Sequence, residues 1–261
     1  MDVTTGGSSP QSLGILRTFL SYYPSQSAKP TEVATLWPLV DQPRVQAQRY
    51  HTSGTSDQTG QAVLTDDYLA SELSPGGRLG QLLSNGSSAE YAQLKLSWVL
   101  DPDLITTVDA MRSGYRVVSD AQGSVSAATP DCNCTEKGSA TGTAAAKEWL
   151  LNLQTTLANL GPQQIISLPY ADPDLATLAD HPSESSALVD ELKQVGNASV
   201  PDLLQVTAND SVAWPYQGYT DPAVVSLARS LHDNQIVVTS DSLPYNPLTY
   251  TPTRPAPWAT G

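Results

Sequence analysis

Aspartates and aromatic rings recur together at the ends of five short apolar runs. The runs are Leu36-Trp37-Pro38-Leu39-Val40-Asp41, Leu96-Ser97-Trp98-Val99-Leu100-Asp101, Ile165-Ile166-Ser167-Leu168-Pro169-Tyr170-Ala171-Asp172, Val212-Ala213-Trp214-Pro215-Tyr216 with Asp221 soon after, and Ile236-Val237-Val238-Thr239-Ser240-Asp241. Two carboxyl groups facing one bond at roughly 5–10 Å can hydrolyse a glycoside, one acting as an acid of raised pKa. An aromatic face stacks on the apolar side of a sugar ring, and a concave pocket with a few polar groups is the usual ligand site. The candidate catalytic residues are therefore Asp41, Asp101, Asp172 and Asp241, and the candidate ligand-binding residues are Trp37, Trp98, Tyr170, Asp174, Trp214 and Tyr216.

Each candidate also has a structural task. Asp101, Asp172 and Asp221 precede proline, the signature of a helix N-cap followed by a first helical residue that needs no N–H. Asp41 and Asp241 suit turns. Asp103 and Asp174 would sit second in their helices, at the positive end of the dipole. The rings could instead fill a core. No metal or cofactor is expected: His51, His181 and His232 stand far apart, and Gly76-Gly77-Arg78-Leu79-Gly80 lacks the Lys-Ser/Thr of a phosphate loop. There is no Gly-x-Ser-x-Gly elbow. Cys132 and Cys134, one residue apart, read as part of a solvated loop.

The elements that would position these groups alternate. A strand is expected over 33–40, a polar loop over 51–62, and helices after Thr65-Asp66-Asp67, after Asp101, over 144–160, after Asp172, from Glu184 to about Val195, and after Asp221; 202–206 reads as a short strand. Near-continuous apolar strands separated by helices favour a parallel sheet covered on both faces, with ligands at the strands' carboxyl ends. The expected fold class is α/β: a (β/α) barrel over 19–250, incomplete or seven-stranded versions included, with a loop insertion around 119–142. It is flanked by a flexible tail over 1–18 and a Pro-rich linker over 251–261.

The 261 residues carry 13 Lys plus Arg against 26 Asp plus Glu, a net charge of −13, which argues against nucleic acid as a partner. No stretch reaches the roughly 20 apolar residues of a membrane-spanning helix, so no direct membrane contact is expected of this segment. The N-terminus lacks the basic start and apolar core of a secretory signal. Together with the proline-rich end, this reads as a piece excised from a longer chain.

In matching order, Phe19-Leu20-Ser21-Tyr22-Tyr23-Pro24, Leu36 through Pro43, Ser97 through Leu104, Leu168 through Leu175, Val212 through Pro215 and Val238 through Asp241 resemble the central region of an actinobacterial cell-envelope protein family without an established activity. The similarity covers roughly Phe19 to Pro252. It implies an extracytoplasmic domain of a membrane-anchored protein with flanking domains, encoded near the lipid II flippase, and a cell-wall glycan or envelope protein as partner. The strand pattern is more distantly similar to the glycoside hydrolase and polysaccharide deacetylase barrels, although the His pair of a metal-dependent deacetylase is absent. The leading expectation is an envelope domain that binds a glycan or envelope partner at the strand ends. The alternatives are a hydrolase acting on cell-wall polysaccharide and a purely structural scaffold.

Overall fold

The computed structural model describes residues 2–4, 12–15, 33–51, 60–118 and 135–243. The chain divides into two compact units, one of Met1–Val33 with Tyr250–Gly261 and one of Ala34–Thr249. In the first, β1 (Asp2–Thr4) and β2 (Ser12–Ile15) pair antiparallel, within the stretch read as a tail. Cys132, Cys134 and the segment 251–261 lie outside the described residues.

The second unit runs β3 (Leu36–Leu39), β4 (Val45–Tyr50), β5 (Gln61–Leu64), α1 (Tyr68–Glu72), α2 (Arg78–Gly86), β6 (Ser97–Leu100), α3 (Pro102–Arg112), β7 (Arg116–Val118), β8 (Thr135–Lys137), α4 (Ala140–Leu157), β9 (Ile165–Ser167), α5 (Leu175–Ala179), α6 (Pro182–Leu204), β10 (Val212–Ala213), α7 (Pro222–Ser230) and β11 (Gln235–Ile236). These strands form a parallel sheet β3-β6-β9, a mixed sheet β4-β5-β7-β8 and a parallel pair β10-β11. Among the described residues no sheet closes, which overturns the (β/α) barrel. Residues 45–50 and 61–64 pair antiparallel instead of feeding a helix back to β3, and β7 and β8 join them in a second sheet. Among the described residues, a single parallel bridge, Ile166 with Asn209, extends the first sheet beyond β9.

Successive residues of β3, β6 and β9 point to opposite faces, as the period of two requires. Leu39, Trp98, Leu100 and Ile165 enter a large core with α2, α3 and α4, where Leu104, Ile105, Val108, Leu153 and Leu157 are fully buried or nearly so. Val99, Ile166 and Leu168 pack on the other face against Val212, Trp214 and Val237. Both faces of this parallel sheet are thus covered. A third cluster joins α5, α6 and α7 through Leu175, Val189, Val224 and Leu227.

Two sequence expectations fail locally. The helix expected to stop before Gly196 continues to Leu204, so the strand expected over 202–206 does not form: 202–204 are its last residues and Gln205 is its left-handed cap. A side chain at Gly196 would come within 2.9 Å of the Pro102 ring, so the glycine marks a close helix crossing and not a stop. Among the described residues no helix is long and apolar enough to cross a membrane.

Trp37 and Trp98 are opposite each other in the β3-β6 register. Trp98 is 2% exposed, and the Trp37 Nε1 donates to the Leu82 carbonyl at 3.1 Å. A Cβ at Gly86 would lie 2.5 Å from the Trp98 ring and 2.8 Å from Trp37 Nε1, so α2 ends on a glycine to let both indoles in. Trp98 is core, which corrects its reading as a ligand residue, and Trp37 is partly buried against the same core. Trp98→Ala should therefore cost about 3–5 kcal/mol. At about 2–4 °C per kcal/mol this lowers the Tm by roughly 6–20 °C in thermal unfolding.

Candidate functional site

The carboxyl ends of β6 and β9 meet at Asp101. Its side chain is fully buried, and Oδ1 accepts the N–H of Asp103 at 2.9 Å, which caps α3, and the N–H of Ala171 at 3.1 Å, which belongs to the turn after β9. Asp101 Oδ2 is buried without a partner. Burial raises this carboxyl to about 7, and neighbouring Asp103 and Asp172 add to the rise. Asp103, also buried, is raised by burial and by Asp41, against a lowering contact with the Tyr170 hydroxyl.

The Ala171 bond holds a strained turn. Ala171 and Asp172 both have left-handed backbone, φ 62° and 41°, which side-chain-bearing residues adopt at a cost of order 1–3 kcal/mol. This turn displaces the expected helix start: Asp172 caps nothing, and α5 begins after Asp174, whose carboxylate accepts the Ala176 N–H at 3.1 Å and the Thr177 hydroxyl at 2.6 Å. The Asp172 carboxyl is left without a hydrogen-bond or ion-pair partner among the described residues, and desolvation by its surroundings raises it to about 6. Asp174 is held below the usual carboxylate range, chiefly by the Thr177 hydroxyl.

A second left-handed pair faces the first. Gln217 and Gly218 have φ 53° and 72°, and a Cβ on Gly218 would lie 2.7 Å from the Thr239 nitrogen, whose N–H donates to the Gly218 carbonyl at 2.8 Å. This fixes Trp214-Pro215-Tyr216 as a shelf. Between shelf and turn lies an open cleft of about 240 Å³, lined by the apolar Pro38, Val40 and Leu168 and by Asp172, Asp174, Trp214, Tyr216 and Gln217, of which Asp172, Asp174, Tyr216 and Gln217 are exposed. That is somewhat below the roughly 300–1,000 Å³ of drug-sized sites, and suits a single ring.

The cleft gathers Asp172, Asp174, Trp214 and Tyr216, and the other candidates lie outside its lining. Asp41 is held by Arg44 Nε at 3.1 Å and Arg78 Nη2 at 3.4 Å, and so is structural. Asp101 is a buried tie without access to ligand. The Tyr170 hydroxyl contacts Thr106 Oγ1 at 3.1 Å, and burial, with Asp103 beside it, raises it to about 12. Asp241 lies in a short 3-10 turn after β11, and no ladder joins β11 to β3, so the pairing of Asp41 with Asp241 expected of a closed barrel does not form. Sequence reasoning missed Gln217, which Gly218 could have flagged as part of a tight turn, and it missed the left-handed 171–172 turn, for which there is no local signal. Among the described residues no group of three His, Cys, Asp or Glu side chains is placed to hold a metal ion.

An acid whose folded pKa lies near 7, above its ordinary 3.8, supports stability fully below about pH 4 and loses that contribution as pH rises through 7. The wild-type Tm should fall by at least about 2–4 °C between pH 5 and pH 8. Asp101→Asn, the neutral isostere that keeps the Oδ1 acceptor, should flatten this fall in calorimetry. An equal fall in the variant would show that Asp101 is not its source.

Set against protein-family models, curated proteins and solved structures, the chain matches none.

Proposed function

We propose that this chain is an extracytoplasmic domain of a cell-envelope protein and binds a cell-wall glycan in the cleft between the 171–174 turn and the Trp214–Gly218 shelf. One observation carries the reading: two ring-bearing residues and two carboxyl groups share one apolar-floored recess beside the carboxyl ends of parallel strands. A sugar ring presents an apolar face to stack on an indole and hydroxyls to meet carboxylates at its rim, and this lining offers both. The two left-handed pairs support it as well, since strained backbone on both sides of one cleft is the pattern of a site held for a ligand. The envelope setting rests on the resemblance of the Leu36–Pro43, Ser97–Leu104 and Leu168–Leu175 motifs.

A hydrolase reading draws support from a separate observation. Asp172 is raised to about 6 while Asp174 is lowered, and carboxyl groups in one cleft whose pKa values are driven apart are the pattern of an acid and its ionised partner.

Titration with peptidoglycan and arabinogalactan fragments, read by tryptophan fluorescence and calorimetry, tests binding. Trp214→Ala should weaken it by about tenfold or more, equivalent to about 1.4 kcal/mol, and because Trp214 also packs on the Val99–Val212 cluster it should lower the Tm too, so the titration is run well below the variant's unfolding transition. An unchanged Kd in this variant would move the site elsewhere. In a reducing-end assay on the same fragments, turnover in wild type and its loss by at least about 100-fold in Asp172→Asn would add hydrolysis to binding. No turnover in wild type leaves binding alone.

A further inference from the structure

Resting on the reading of this cleft as a saccharide site, we infer that it selects a saccharide bearing a free primary amine over neutral or acidic sugars, with the ammonium group seated at Asp172. Among the described residues that line the cleft, the charged side chains are both carboxylates and none is Lys, Arg or His. Asp172 has no hydrogen-bond or ion-pair partner among the described residues, whereas Asp174 is already bonded to Ala176 and Thr177. Arg78, outside the lining, is engaged: it donates from Nη1 and Nη2 to the carbonyl of the lining residue Val40, both at 3.2 Å, and pairs with Asp41 and Glu72.

The chemistry of the lining follows from these placements. Asp172 is exposed at the cleft, and a ligand that covers it strips water from an unpaired carboxylate, which is costly unless the ligand supplies a matching charge or donors. An ammonium supplies both. Trp214 and Tyr216 beside it add the attraction of ring faces for cations. An acidic sugar meets two carboxylates on a chain of net charge −13, and repulsion excludes it. An N-acetylated sugar keeps the ring stacking and loses the ion pair.

The test is calorimetric titration of the 261-residue chain with three oligosaccharides of equal length: glucosamine oligomers, their N-acetylated counterparts and oligomers of a uronic acid. Wild type should bind the free-amine form at least about tenfold more tightly than the N-acetylated form, about 1.4 kcal/mol, and the uronic acid least. The preference should shrink as salt is raised from 0.05 to 0.5 M. Asp172→Asn, with a Tm matching wild type, should narrow the ratio to within about twofold.

Equal affinity for free-amine and N-acetylated forms overturns the amine selectivity while leaving the saccharide site standing. Failure of every oligosaccharide to bind overturns the reading of the cleft itself. Binding of trilysine as tight as that of the glucosamine oligomer shows a site for basic peptide and overturns the proposal. A ratio unchanged in Asp172→Asn removes the ammonium from Asp172 and overturns it also.

Discussion

The buried carboxyl of Asp101 ties together the end of the central strand β6, the first turn of α3, and the turn that follows β9, extending past the strand ends the register that the β6-β9 ladder sets. One oxygen accepts from Asp103 and Ala171, 70 residues apart in sequence from the second of these. An acid in such a place is expensive to ionise, as its elevated pKa reflects. The compensation is positional, since the Ala171 amide would otherwise be a part-buried donor in a strained turn with nothing to hold it. The placement of Asp172 in the cleft depends on that bond. The site is therefore supported from below by a group that never reaches the ligand.

Comparison of two identical tetrapeptides shows how far local sequence carries. Asp101-Pro102-Asp103-Leu104 and Asp172-Pro173-Asp174-Leu175 have the same capping signature. In the first the leading aspartate caps the helix; in the second the capping passes to Asp174, because Ala171 has been drawn to Asp101 and Thr177 offers Asp174 a partner. Propensity alone cannot distinguish them, since the difference comes from a contact across 70 positions. Asp221, which has no such competing contact, caps α7 as expected.

The same division runs through the fold. The apolar strands β3, β6 and β9, the buried stripe of α4 and most helix starts could be read from periodicity and Asp-Pro signals. The barrel could not be tested that way, because pairing partners are not written in any one strand. Gln61–Leu64 reads as the end of a polar loop, yet it is the strand that gathers a second sheet and leaves the first one open. Among the rings, Trp37 and Trp98 share a strand-end position with Trp214. A glycine at the end of α2 admits Trp98 fully and Trp37 in part to the large core, while Trp214 packs in part on the other face of the sheet and also lines the cleft.

Helix α6 spans 23 residues, about 34 Å end to end, and lends different stretches to different clusters. Val189 belongs to the cluster around α7, Val200 and Leu204 to the large core under β6, and between them Lys193 reaches Asp233 at 2.7 Å. A rod anchored at both extremities cannot bend midway without tearing one anchorage loose. The two regions it braces are consequently committed to melting as one body, and the recess beside them behaves as a fixed socket rather than as jaws that swing.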